Sequence, residues 1–202
     1  LALMGTLLAG IPATAAAIDG LGENWSSLSA EDTAVYTKGE DGYTISGANW
    51  WTGAVYSVAA GADCTVDMTF ASNGSTAAWW GIYARLNSTD PLEDMTPTVG
   101  NAGVRGMVTP TDVSIHAAEG TVTKTAEDGY VPYNLAAVHP LRLVCQGADI
   151  KVYLDDMENP LLTSTTTKLD GGYVGFYAPN ANNCVIQSIA VNGETILTGE
   201  EV

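Results

Sequence analysis

Apolar and polar residues alternate with a period of two over most of the chain from residue 43 onward, and the 3.6-residue period of an amphipathic helix is nearly absent. Cys64-Thr-Val-Asp-Met-Thr-Phe70 alternates in this way. So do Val113 to Ala117, Leu141 to Cys145, Ile150 to Leu154 and Val185 to Val191. Tyr173-Val-Gly-Phe-Tyr177 is a fuller apolar run, as expected of a strand covered on both faces. Turn-forming stretches separate the runs: Asn73-Gly74, Thr109-Pro110-Thr111-Asp112, Gln146-Gly147-Ala148-Asp149, Asp170-Gly171-Gly172 and Pro179-Asn180. Many short strands with such punctuation predict an all-β sandwich or barrel. Two hairpins stand out. One joins Arg142–Cys145 to Ile150–Leu154, and the other joins Val104–Val108 to Val113–Ala117. Asn87 to Ala102 reads as a long polar loop bearing proline, a length that is uncommon in compact domains and often functional.

The N-terminus does not belong to this pattern. Leu1 to Ile11 is almost wholly apolar, and Pro12-Ala-Thr-Ala-Ala-Ala17 follows. An apolar core, then a proline and small residues in A-x-A spacing, is the mark of a secretory signal peptide. Residues 1–17 are therefore assigned to a signal peptide that lacks its basic start, and residues 18–202 to one β-domain. The apolar stretch is short for a membrane span and no positive cluster follows it, so no span is expected in the mature chain. A secreted or extracellular-surface location follows from this reading.

Composition narrows the partners. The net charge is −16, with only seven Lys and Arg. Nucleic acid needs a basic footprint and is excluded, and anionic membrane is disfavoured on the same ground. Three cysteines, Cys64, Cys145 and Cys184, lack C-x-x-C spacing, which argues against zinc. An oxidising compartment permits one disulfide among them and leaves one thiol. The simpler expectation is three free, buried, small apolar residues.

A family pattern is visible in the second half. His139-Pro-Leu-Arg-Leu-Val-Cys-Gln-Gly-Ala-Asp-Ile-Lys-Val-Tyr-Leu-Asp155 reads as strand, tight turn, strand. Asp170-Gly-Gly-Tyr-Val-Gly-Phe-Tyr-Ala178 and Cys184-Val-Ile-Gln-Ser-Ile-Ala-Val191 follow. This order resembles the C-terminal part of laminin-G-like, concanavalin A-like domains. Gly81-Ile-Tyr-Ala-Arg85 and Asp63 to Phe70 resemble earlier strands of the same family, and the likeness runs from about residue 24 to residue 193. It departs at Asp155-Asp156, where an Asp-Gly turn is usual, and at Cys184, where an aromatic usually opens the last strand. The resemblance implies a two-sheet antiparallel jelly-roll sandwich. It also implies a non-catalytic module of the carbohydrate-binding type, appended to a larger extracellular glycan-processing or surface protein.

Some members of this fold are β-glucanases that use a close pair of glutamates in an E-x-D-x-x-E run, since retention needs two carboxylates about 5–5.5 Å apart. That run is absent here. The acidic pairs Glu31-Asp32, Glu40-Asp41, Glu93-Asp94, Glu127-Asp128 and Asp155-Asp156 are adjacent, so in a strand they would point to opposite faces. No G-x-S-x-G or H-E-x-x-H motif occurs, and His116 and His139 are the only histidines. The sequence thus favours binding over catalysis and identifies no catalytic residue. The rival readings are a structural or adhesive module without sugar binding, and a glycoside hydrolase fragment. No cofactor is required. Asp90 to Asp94 and Asp155-Asp156 are oxygen-rich enough to leave room for a structural Ca2+.

Polysaccharide or oligosaccharide is the expected ligand, because sugars are held by flat aromatics against C–H faces and by planar polar groups on hydroxyls. Strand alternation places Trp79, Tyr83 and Arg85 on one face, with Trp80, Ile82, Ala84 and Leu86 on the other, core-facing side. Arg105 and His116 fall on the polar faces of the next hairpin. Trp50-Trp51 is expected to straddle its strand, one ring in the core and Trp50 free to stack on a ligand. Trp79, Tyr83, Arg85, Arg105, His116 and Trp50 are therefore the candidate ligand-binding residues. Solvent-exposed Trp79, Tyr83 and Arg85 would mark a binding face, and their burial a structural role.

Overall fold

The structure is a computed structural model that describes residue 18, residues 20–92 and residues 103–199. The proposed signal peptide, Glu93-Asp94 and most of the long loop lie outside the described residues. Fifteen strands are present among those described. In chain order the first eight are β1 Trp25–Ser27, β2 Val35–Gly39, β3 Gly42–Ser46, β4 Gly53–Tyr56, β5 Cys64–Ala71, β6 Trp80–Leu86, β7 Val104–Val108 and β8 Asp112–Ala117. Then come β9 Gly120–Thr125, β10 Val138–Gln146, β11 Asp149–Leu154, β12 Leu162–Thr165, β13 Tyr173–Tyr177, β14 Val185–Val191 and β15 Glu194–Thr198. Helical structure among the described residues is a single 3-10 turn, Ala126–Asp128.

The strands form two antiparallel sheets. One has seven strands in the order β1-β4-β13-β6-β7-β8-β9. The other has eight: β12-β11-β10-β5-β14-β3-β2, with β15 paired to β14. Both predicted hairpins form. β10 and β11 pair through the two-residue turn Gly147-Ala148, and β7 pairs with β8. The closing hairpin β14–β15 turns at Asn192-Gly193, both at positive φ, where the side-chain-free glycine and the tolerant asparagine avoid strain. That Asn-Gly pair was the unused signal for β15, which the sequence pattern had not extended to.

The sheets differ in how their outer faces are covered. In the eight-stranded sheet, β5 and β10 alternate: Val66, Met68, Phe70, Leu141 and Leu143 are buried in the core, while Thr65, Asp67 and Thr69 are only half-buried on the outside. In the seven-stranded sheet, β6 and β7 are buried at every residue. Trp80, Ile82, Ala84, Val104 and Val108 face the core, and a second apolar cluster covers the opposite face. Gly106 marks a close approach of the sheets, because a Cβ there would stand 2.6 Å from Val152 Cγ2. Trp80 stacks on Phe70 across the core at 4.6 Å, and its indole N–H donates to Ser72 Oγ at 2.9 Å.

Candidate functional site

The second cluster lies on the outer face of the seven-stranded sheet. It contains Leu28, Val55, Tyr83, Leu86, Met107 and Tyr177, with Trp51, Trp79, Leu92 and Tyr173 packed against it. Strand pairing assembles it. β13 brings Tyr177 alongside Gly81 of β6, and β7 brings Arg105 opposite Tyr83. Gly81 leaves room for both neighbours: a Cβ there would be 3.3 Å from Tyr177 Cβ and 3.5 Å from Arg105 Cδ.

Arg105 sits between the two tyrosines. Its guanidinium carbon lies 4.9 Å from the Tyr177 ring centre and 5.5 Å from that of Tyr83, and Nη1 donates to the Tyr83 hydroxyl at 3.0 Å. Proximity to two aromatic rings suits the weakly hydrated guanidinium and offsets part of its burial. Burial holds the Tyr177 hydroxyl well above the usual phenol range. That hydroxyl donates to the Trp50 backbone carbonyl at 2.9 Å. Trp50 stands edge-on to Trp79 at 5.0 Å and to Tyr177 at 6.4 Å. An unbroken series of rings thus runs from Trp79 through Trp50 and Tyr177 to Tyr83, with Arg105 over its inner end.

The turn that presents Trp50 is held by local chemistry. Asn49 Oδ1 accepts the Trp51 N–H at 2.8 Å, a turn that asparagine favours because its side chain mimics a backbone acceptor. The Asn49 N–H donates to Thr52 Oγ1 at 2.9 Å, and the Asn49 carbonyl accepts the Asn180 N–H at 3.1 Å. Trp50 and Trp51 therefore lie in a turn before β4, not on a strand, and neither ring enters the main core. Trp51 is half-buried against the outer cluster, while Trp50 is 46% exposed.

His116 joins the same face, directly opposite Arg105. Its Nε2 bonds Ser114 Oγ at 2.9 Å and its Nδ1 bonds Thr121 Oγ1 at 3.0 Å. Desolvation, then the Arg105 charge, pull its pKa down to about 4, so the ring is neutral at pH 7.

Arg85 is not on this face. Alternation along β6 breaks because three residue steps, Tyr83 to Leu86, oppose two on β13, Tyr173 to Gly175. The extra residue is a bulge, and Arg85 takes it up at φ 58°. Gly103 and Gly171 press on its backbone, where a Cβ on Gly103 would meet the Ala84 carbonyl at 2.4 Å and one on Gly171 the Arg85 carbonyl at 2.3 Å. The bulge sends Leu86 to the outer cluster instead of the core. It turns Arg85 inward to complete burial, at 0% exposure. There the guanidinium donates to the carbonyls of Ala62, Lys168 and Gly147 at 2.8, 2.7 and 2.6 Å. Asp63 lies 3.4 Å away but is itself 65% exposed.

The structure thus brings together five of the six candidates, Trp50, Trp79, Tyr83, Arg105 and His116, and separates Arg85. It adds Tyr177, which the sequence pattern had assigned to a buried strand without a site role. Of the three residues whose exposure would mark a binding face, Trp79 is half-buried while Tyr83 and Arg85 are wholly buried, as a structural role requires; Trp50, the further candidate ring, is exposed. Asp155 is held by His139 Nδ1 at 2.8 Å, and Asp156 caps its own turn at Glu158 and Asn159. Among the described residues, no group of three or more His, Cys, Asp or Glu is placed to hold a metal ion.

No protein-family model matches the sequence, and no curated protein matches it. Solved structures do. The sandwich is similar to the carbohydrate-binding module CBM66 from Bacillus subtilis, with a TM-score of 0.58 at 12% identity over 88% of this chain and 99% of that one. Sheep galectin-11 aligns at a TM-score of 0.44 with 10% identity, over 68% of this chain and 95% of its own. A glycosyl hydrolase family protein from Mycobacterium fortuitum aligns at 0.44 with 11% identity, over 69% of this chain and 67% of its own. At these identities the likeness concerns the fold. From the two-sheet antiparallel order and the first of these matches, the chain is an all-β, concanavalin A-like jelly-roll sandwich.

Proposed function

We propose that the protein is a carbohydrate-binding β-sandwich whose ligand stacks at the Trp50–Trp79 corner of the outer sheet face. The observation that carries this is the half-exposed Trp50 ring, edge-on to Trp79 and presented by a pinned turn beside the Tyr177, Arg105 and Tyr83 cluster. An indole fixed in this way loses little entropy on meeting the C–H face of a sugar. Fold likeness to a carbohydrate-binding module supports the same reading. The leader-like residues 1–17 support secretion, and we take the sandwich to be one module of a larger extracellular glycan-processing or surface protein. The ligand is a polysaccharide or oligosaccharide, and binding requires no cofactor. A Ca2+ titration in the same assay tests whether the acidic loops carry a structural ion.

The test is a glycan-array screen of residues 18–202 beside Trp50→Ala and Trp79→Ala. Loss of a central aromatic contact weakens binding at least about tenfold. A silent array for the unaltered protein refutes the reading, and binding unchanged in both variants refutes the site. Burial of Tyr83 and Arg105 favours a second reading, a structural or adhesive module, which the silent array would support.

A further inference from the structure

Two of the three cysteines face each other. Cys64 opens β5 and Cys145 is next to the last residue of β10. In the antiparallel pairing of these strands the two stand directly opposite one another. Both side chains are buried on the core side. Opposed residues in an antiparallel pair have Cα atoms about 4.5–5.5 Å apart, inside the roughly 4.4–6.8 Å span that a disulfide bridges. The bond therefore asks for no change of register.

The flanking residues pin that register. Asp63, just before Cys64, accepts the Gly147 N–H at 2.8 Å through Oδ1. Buried Arg85 reaches the carbonyls of Ala62 and Gly147 on either side of the pair. The two thiols also sense each other. A hydrogen bond from Cys145 holds the Cys64 thiol below the usual range, with the Arg85 charge assisting. Cys145, donating that bond within the core, is pushed up. Cys184 is elsewhere: it precedes β14, its thiol donates to the Ser72 carbonyl at 3.3 Å, and burial raises its pKa to about 11.

We propose that Cys64 and Cys145 form a cross-strand disulfide between the inner strands β5 and β10 of the eight-stranded sheet, at one end of their pairing, when the protein folds in an oxidising medium, leaving Cys184 as a buried thiol. With a small-molecule disulfide such as oxidised glutathione as the electron acceptor, the Cys64 thiolate attacks one of its sulfurs and releases a glutathione thiolate. The Cys145 thiol then loses its proton and attacks Cys64 Sγ, releasing the second glutathione thiolate. Two protein thiols give up two protons and two electrons, and the oxidant becomes two molecules of glutathione. The bond closes a loop of about 80 residues, long enough to restrict the unfolded chain strongly.

The protein is unfolded in urea, refolded with equal oxidised and reduced glutathione, alkylated under denaturing conditions and analysed by peptide mass spectrometry. Before alkylation the expected mass is about 2 Da below that of the reduced chain, for two hydrogens lost, and after alkylation the product carries one alkyl group where the reduced chain carries three. A linked peptide joins Cys64 to Cys145, and one alkylated residue, Cys184, remains. Cys184→Ser keeps the link. Three alkylated thiols, or a link that includes Cys184, overturn the proposal.

Discussion

Replacing Arg85 by Ala separates a structural arginine from a ligand-binding one. The side chain is fully buried and ends on three backbone carbonyls. Each charge-assisted bond contributes about 1.5–3 kcal/mol where the acceptor would otherwise stay unsatisfied. The Gly147 carbonyl lies in an exposed turn and rehydrates, so the bonds do not sum at full value. The Asp63 partner is mostly exposed and adds little. The expected loss is about 3–5 kcal/mol, the range for removing one member of a buried polar group. With a urea slope of about 2 kcal/mol per M, the unfolding midpoint falls by about 2 M at unchanged slope. Arg85→Gly should cost about 1 kcal/mol less than Arg85→Ala, because glycine carries no penalty at the positive φ of the bulge. Urea titrations of the three proteins, followed by intrinsic fluorescence, provide the comparison. A midpoint shift below about 0.5 M would refute the anchoring argument. Glycan binding lost at unchanged stability would refute it as well, since Arg85 would then be touching ligand.

Further expectations concern the faces on either side of β6 and β7. His116 titrates at about 4 in the folded protein against about 6.5 unfolded, so between these values the unfolded chain holds the extra proton. Stability is therefore lost as pH falls from about 6.5 to about 4, by on the order of 2 kcal/mol once partial solvent exposure is discounted. The same pH dependence in His116→Gln would exclude this cause. Gly106→Ala places a Cβ against Val152 and Leu143 and should cost about 1–3 kcal/mol. Combined with Val152→Ala it should destabilise by less than the sum of the two single changes, and strict additivity in urea titrations would show that the close approach is not there. Trp80→Phe removes the bond to Ser72 and part of the stack on Phe70, for about 2–3 kcal/mol by thermal or urea unfolding, and a loss under 1 kcal/mol would contradict the packing.

Much of the sandwich was legible in the chain. Tyr173–Tyr177 is a strand at the residues its apolar run marked, Val104–Val108 is one where the hairpin reading put it, and both hairpins turn where Gly, Pro and Asp clustered. Side-chain period and turn chemistry are local properties, carried by neighbours in sequence. Edge strands β2, β9 and β12 were less visible, because they are short and their few apolar residues do not alternate with burial: exposed Val35 adjoins buried Tyr36 in β2, and Val122 in β9 is exposed. The Trp50–Trp51 turn was misread as a strand because aromatic pairs favour strands, while the Asn49 side chain that bends the chain there leaves no period-two mark.

For the candidate face, the sequence alone determined which residue types could meet: an aromatic run beginning at Trp79, and Arg105 and His116 on one hairpin, whose pairing follows from its own turn. Only the tertiary structure decided the membership. Whether Tyr177 lies beside Tyr83 depends on β13 crossing to pair with β6, a contact between segments far apart in the chain. Whether Arg85 points outward depends on one extra residue in that pairing, fixed by two glycines packed on its backbone. A period of two records which side a residue takes along its own strand. It carries no record of the partner strand, or of where one inserted residue turns a charged side chain from the surface into the core.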